Sequence, residues 1–148
     1  LFNSQIEALE KDFYENFHIP IALSTQFANL LINARGFGSI INFSSVSSYG
    51  NPGQLGYSSS KAALEVATKV LSREFGPLGI RSNIIAPGFI ESESMRENMT
   101  ENSIKKIIQK TSLKKLGDPY DIYHAISMLI NCEYINGQVL RVDGDLRI

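Results

Sequence analysis

The sequence predicts an α/β fold: an open, doubly wound sheet of parallel strands with helices between them. Three observations point there. Two short, apolar, β-prone runs, Ser39–Phe43 and Ile80–Ala86, are separated by a long helical stretch. A third run, Gln138–Val142, follows a further helix. Strands separated by helices pair in parallel through right-handed crossovers, and buried parallel strands read as near-continuous apolar runs.

The first helix is expected from Ser4 to about Ile32. Ser4 and Glu7 fit a capping box. Ile6, Leu9, Phe13 and Phe17 recur at helical spacing, so one face is apolar. Pro20 interrupts this helix. It has no N–H for the carbonyl four residues back, that of Asn16, which is then left free. A Pro kink without function is the alternative reading of the same feature. Arg35–Gly38 forms a turn and Ser39–Phe43 the first strand. Ser44–Gly56 is a Ser/Gly/Asn/Pro-rich loop, which continues neither regular element. Tyr57–Phe75 is the clearest helix, with Ala62, Ala63, Val66, Ala67, Val70 and Leu71 as a small apolar stripe. Gly76 and Pro77 close it. Ile80–Ala86 is the second strand, stopped by Pro87–Gly88. Glu91 to about Leu116 is polar and reads as one or two mobile helices. Asp118 as cap and Pro119 in the first turn start another helix, which runs to about Asn131. Gln138–Val142 closes the order.

The bulk properties exclude several classes. The chain has 148 residues, 43% hydrophobic and 20% charged, which allows one domain with a core of its own. A net charge of −1 supplies no field for nucleic acid or for an anionic membrane. The one cysteine, Cys132, cannot form an internal disulfide, so a reducing, cytoplasmic compartment is expected. His18 and His124 lie far apart with no partner at ligand spacing, so no metal site is expected. No apolar run is long enough to span a bilayer, and no basic segment followed by an apolar one marks a signal peptide. The chain starts with Leu1 rather than Met, which fits a fragment or a processed product.

In open sheets of this kind, ligands sit beyond the carboxyl ends of the strands. Those ends are Ser44–Ser45 and Pro87–Gly88. Tyr57 and Lys61 stand four residues apart on one helix and share a face. A free tyrosine titrates near ~10, too high for a good proton shuttle at neutral pH. A nearby cation favours the phenolate and lowers that value. The spacing alone is common. Ser45 adds context: it ends the first strand, twelve residues before Tyr57, where a hydroxyl can hydrogen-bond an oxygen that Tyr57 protonates. Most of Ser44, Ser45, Ser47 and Ser48 read better as turn residues.

Residues 40–45 (Ile-Ile-Asn-Phe-Ser-Ser) and 50–61 (Gly-Asn-Pro-Gly-Gln-Leu-Gly-Tyr-Ser-Ser-Ser-Lys) resemble the active-site segment of the short-chain dehydrogenases/reductases. Residues 79–90 (Gly-Ile-Arg-Ser-Asn-Ile-Ile-Ala-Pro-Gly-Phe-Ile) resemble the cofactor-side strand and loop of that family. Residues 135–144 (Ile-Asn-Gly-Gln-Val-Leu-Arg-Val-Asp-Gly) resemble its closing strand. The resemblance implies a Rossmann-like sheet and an oxidoreductase that interconverts a carbonyl and an alcohol with NADP or NAD, NADP being favoured. It implies a tetrad of Asn16, Ser45, Tyr57 and Lys61. Tyr57 would exchange a proton with substrate. Lys61 would depress the tyrosine's pKa and bind the nicotinamide ribose. The carbonyl of Asn16 would hold a water linking the lysine to solvent. Alignment from the strand makes the serine Ser45; counting back from Tyr57 without a gap makes it Ser44, because the loop is one residue short. Strand alternation favours Ser45. Pro87, Gly88, Ile90 and Ser92 would join Tyr57 and Lys61 in holding the cofactor. Asp145 stands where Gly is commoner, with little expected beyond a turn.

Neither a glycine-rich phosphate loop nor the family's Asn-Asn-Ala-Gly segment occurs in the sequence. Residues 1–148 therefore correspond to the C-terminal catalytic part of a single domain, with the N-terminal nucleotide-binding half missing. The fragment alone is expected to be inactive. Asn-Pro-Gly-Gln and Pro-Gly-Phe-Ile look most like the 3-oxoacyl-carrier-protein reductases. Lys105, Lys106, Lys110, Lys114 and Lys115, near the expected substrate lid (about Met95–Leu113), would suit an acidic carrier, although a solvated helix face is the more usual cause. The substrate is a small-molecule or carrier-bound carbonyl. Homodimers or homotetramers of the full-length protein are implied, and the small-residue stripe suits such packing. The alternative is a truncated or degenerate, non-catalytic member acting through oligomer interfaces.

Overall fold

A computed structural model describes residues 2–146. Helix α1 (Phe2–Phe13) passes through a π turn (Tyr14–His18) into α2 (Ile19–Asn33). Strand β1 (Gly38–Phe43) leads to a 3₁₀ turn (Val46–Tyr49) and then to α3 (Leu55–Phe75). A second 3₁₀ turn (Gly76–Leu78), β2 (Ile80–Pro87), α4 (Glu93–Asn98), α5 (Glu101–Lys110), α6 (Pro119–Asn131) and β3 (Val139–Val142) follow. The sheet order is β1-β2-β3 and both pairings are parallel.

Alternation along the strands builds two cores, one on each sheet face. Ile40 and Ile80 point to one face and pack with Ala28 and Leu31 of α2 and Phe75 of α3. Ile41 and Ile85 point to the other and pack with Ile122, Ala125, Ile126 and Leu129 of α6. Helices on both faces make the sheet doubly wound. The C-terminal end of α6 is fixed by Arg81, whose guanidinium donates to the carbonyls of Leu129 (2.7 Å), Ile130 (2.9 Å) and Ile135 (3.1 Å). Fully buried Asn83 donates to the Ile135 carbonyl and accepts from the Gln138 N–H, so β2 sets the entry of β3.

Three expectations change. The first helix already runs from Phe2, two residues before the expected start at Ser4, whose side chain lies outside the described residues. Pro20 does not interrupt it: proline sits in the first turn of α2, and the mismatch is taken up just upstream, where the Ile19 N–H bonds the Tyr14 carbonyl five residues back. The helix is thus continuous to Asn33. Gly76 keeps right-handed angles, and the left-handed position is Gly79 (φ 79°), where a Cβ would lie 2.3 Å from the Phe37 ring. Of the apolar stripe on α3, only Leu71 is buried. The helix turns Ser60, Leu64, Thr68, Leu71 and Ser72 inward and leaves Val66 64% and Val70 45% exposed.

No helix among the described residues is long and apolar enough to cross a membrane.

Candidate active site

The site begins with the entry of α3. Gly56 lets α1 close on it, since a Cβ there would lie 2.4 Å from the Asp12 carboxylate. The Ser58 hydroxyl accepts from the Asn51 N–H, and the Ser60 hydroxyl donates to the Tyr57 carbonyl. These bonds hold the first turn of α3, which carries Tyr57. One turn on, the Lys61 Nζ sits 5.7 Å from the centre of the Tyr57 ring. The same ammonium donates to the Phe43 carbonyl (2.9 Å), the last residue of β1. It therefore bridges the tyrosine and the carboxyl end of the first strand. Burial lowers the Lys61 pKa from the ordinary value of 10.5. A partly desolvated cation acts more strongly on a neighbouring phenol than a solvated one.

The two candidate serines part at this strand end. The Ser44 N–H extends the ladder to the Ile85 carbonyl (2.7 Å). The Ser44 side chain is buried and donates towards the Glu65 carboxylate (2.7 Å) and the Lys61 carbonyl (3.3 Å). Ser45 is half-buried and caps the 3₁₀ turn, its hydroxyl accepting from the Ser47 N–H (3.1 Å). A hydroxyl has one proton and two lone pairs, so Ser45 can cap this turn and still donate its proton elsewhere.

Asn16 lies at the centre of the π turn, and that turn packs against α3. Its side-chain amide donates to the Asp12 carbonyl (3.0 Å). Wide turns of this kind recur at functional sites.

Pro87 ends β2, and residues 88–92 follow it. The Gly88 N–H donates to the Val142 carbonyl, and a Cβ on Gly88 would lie 2.7 Å from the Asp143 Cα. The close approach that demands glycine here is thus to the chain's own β3. Ile90 forms a parallel bridge with Gly117, made by the Phe89 carbonyl and the Glu91 N–H. In such a bridge the N–H and C=O of Ile90 itself point to the opposite side. They offer one donor and one acceptor, the complement of a carboxamide, so this edge fits a nicotinamide. Ser92 is exposed and caps α4, its hydroxyl accepting from the Met95 N–H (3.1 Å).

Around this edge, α5 shares a small cavity of about 130 Å³ with the serine turn, lined by Val46, Ser47, Asn51, Phe89, Ile107 and Lys110. Lys105, Lys106, Lys110, Lys114 and Lys115 are all exposed. Sequence reasoning missed Glu65 and Arg141. Glu65 lies one turn beyond Lys61, and its carboxylate accepts from Ser44 and Ser48 and pairs with Arg141 at 3.2 Å. The available signal was a charged residue inside a four-residue apolar strand.

The pattern of the family described as enoyl-(acyl carrier protein) reductase matches residues 2–146. A 3-oxoacyl-(acyl-carrier-protein) reductase of Rickettsia prowazekii is 43% identical over 113 residues, which are 74% of this chain and 46% of that protein. The chain thus spans about half the length of the curated relatives it matches. Among solved structures, a 3-hydroxyacyl-CoA dehydrogenase type-2 from Mycobacterium avium overlays with a TM-score of 0.89 at 27% identity, covering 97% of this chain and 58% of its own. A 4-hydroxyisoleucine dehydrogenase mutant in complex with NADH and succinate overlays with a TM-score of 0.86 at 32% identity, covering 93% and 58%.

Proposed function

Because the chain belongs to the short-chain dehydrogenase/reductase family, we propose that its native polypeptide interconverts a carbonyl and an alcohol with a nicotinamide cofactor, with residues 1–148 as the C-terminal catalytic part of one Rossmann-like domain. One observation carries this reading: the Lys61 ammonium stands between the Tyr57 ring and the Phe43 carbonyl, two residues from Ser45.

A bound reduced nicotinamide would supply the hydride. Tyr57 gives its phenolic proton to the carbonyl oxygen, and Ser45 donates a hydrogen bond to that same oxygen. Lys61 stabilises the phenolate that remains. The Asn16 carbonyl takes the water-holding role that the resemblance implies. Pro87, Gly88, Ile90 and Ser92 would hold the nicotinamide with Tyr57 and Lys61, the Ile90 main chain offering its N–H and C=O to it. Ser45 is preferred to Ser44 because the Ser44 hydroxyl is already committed to Glu65 and the Lys61 carbonyl.

The substrate we favour is a 3-oxoacyl group on a carrier protein, with NADP as cofactor and NAD as the alternative. The likeness to the Rickettsia reductase and the exposed lysines of α5 and the following loop support it. The exposed Val66 and Val70 on α3 suit a homodimer or homotetramer.

In the native polypeptide, Tyr57→Phe is expected to lower kcat about 10²–10⁴-fold, the usual range for loss of a general acid. Dinucleotide affinity should change far less than kcat, because the other residues proposed to hold the nicotinamide remain. Turnover at the parent rate in this variant overturns the assignment.

A further inference from the structure

We propose that Glu65, held by Arg141, is a positioning residue that sets Ser45 against Tyr57 and Lys61. The proposal rests on the reductase reading above.

Glu65 stands four residues after Lys61, on the same face of α3. One carboxylate oxygen accepts from the hydroxyls of Ser44 (2.7 Å) and Ser48 (2.6 Å). The other pairs with the Arg141 guanidinium at 3.2 Å. Ser44 directly precedes Ser45. Ser48 closes the turn after it, its N–H donating to the Ser45 carbonyl (3.0 Å). One carboxylate therefore grips both flanks of the Ser45 turn, and it projects from the helix that carries Tyr57 and Lys61.

Arg141 comes from the far strand. The pairings of β1 with β2 and of β2 with β3 set Ser44, Ala86 and Arg141 in one row across the sheet. Fully buried Ala86 is small enough to let Glu65 reach across it to both neighbours. The guanidinium also lies 3.7 Å from the centre of the Tyr49 ring, the last residue of the 3₁₀ turn. The Glu65 and Arg141 side chains are only 14% and 24% exposed. A half-buried ion pair is weak evidence for stability, because desolvation offsets its attraction. Its geometry fits another role. Two positions of that row, Ser44 and Arg141, the serine turn and the tyrosine helix meet in one carboxylate.

The test uses the native polypeptide and starts with Tyr57→Phe as the reference. Glu65→Ala is expected to lower kcat roughly ten- to hundredfold, the size of effect that follows a small misplacement of a reacting group, with dinucleotide affinity unchanged. Glu65→Gln keeps an oxygen for the two serines and should restore most of the rate. In a Ser45→Ala background, Glu65→Ala should cost less than about twofold more, because a residue acting through Ser45 has nothing left to position. Should Glu65→Ala fail to fold, Ser48→Ala removes one of the two grips without stranding a charge, and should show the same non-additivity with Ser45→Ala. Full kcat in Glu65→Ala or in Ser48→Ala overturns the proposal, as does a loss that multiplies in the Ser45→Ala background. Turnover that survives Tyr57→Phe overturns the reductase reading itself, and is distinguishable from either result.

Discussion

At the scale of single residues, Lys61, proposed to act on Tyr57, also bears on stability. Burial disfavours its ammonium and lowers its pKa in the folded chain below 10.5. Between that lowered value and 10.5, the unfolded chain still holds a proton that the folded chain has shed. Stability rises with pH wherever the unfolded state binds more protons. Lys61 therefore opposes folding most below its folded pKa, where the ammonium is buried still charged, and the penalty fades as pH rises towards 10.5. Urea midpoints of the native polypeptide and its Lys61→Met variant, compared from neutral to alkaline pH, check this. The parent should gain on the variant as pH rises. A flat or falling difference means that the lysine is as well solvated as a surface one. The same residue explains why Tyr57-x-x-x-Lys61 was legible in the sequence: an i, i+4 pair is fixed by helix geometry alone. Glu65 and Arg141 were not, because they stand 76 residues apart and meet only once the strand order is known.

At the scale of elements, sequence signals worked best where the chemistry is local. Asp118 and Pro119 open α6, and the structure adds the reciprocal bond from the Asp118 N–H to the Asp121 carboxylate. The three strands fall within a residue or two of their apolar runs. The apolar stripe of α3 was legible, but not the side of the helix that faces the sheet. Small apolar residues mark close packing but not its partner, and here the sheet-facing side is lined by serines, Leu64 and Thr68. The end of α2 holds a feature that the sequence disguises. The Arg35 N–H bonds the Ile32 carbonyl and the Gly36 N–H bonds the Leu31 carbonyl, which is the Schellman pattern. Its left-handed position is filled by Arg35 (φ 51°), not by glycine. A side chain there costs about 1–2 kcal/mol, partly offset by the freedom that glycine has when unfolded. Arg35→Gly should therefore stabilise the chain by about 0.5–1 kcal/mol, seen as a higher urea midpoint with an unchanged slope. A lower midpoint means that the exposed arginine makes a contact worth more than the strain.

At the scale of the whole molecule, the question is how much of a dinucleotide these residues can hold. The carboxyl edge of the sheet offers the Ile90 main chain, Ser92 and Lys61, all suited to the nicotinamide end. The pyrophosphate needs backbone N–H groups from a glycine-rich loop at a helix N-terminus, and no such spacing occurs in these 148 residues. Among the described residues β1 pairs only with β2, so one edge of the strand nearest Ser45 is unpaired. Beside that edge lie Leu23, Phe27 and Phe43, 61%, 43% and 42% exposed, where a folded sheet would have cover. The proposed tetrad, on an uncovered edge, also loses the water exclusion that strengthens electrostatics. The 148-residue chain alone should then bind NADPH or NADH only weakly and show no measurable carbonyl reduction. Joined to a glycine-rich nucleotide-binding half that pairs with β1, the same residues should turn over. Steady-state assays of both forms with a 3-oxoacyl thioester decide the matter. Robust reduction by the isolated chain means that the nicotinamide end suffices to seat the cofactor.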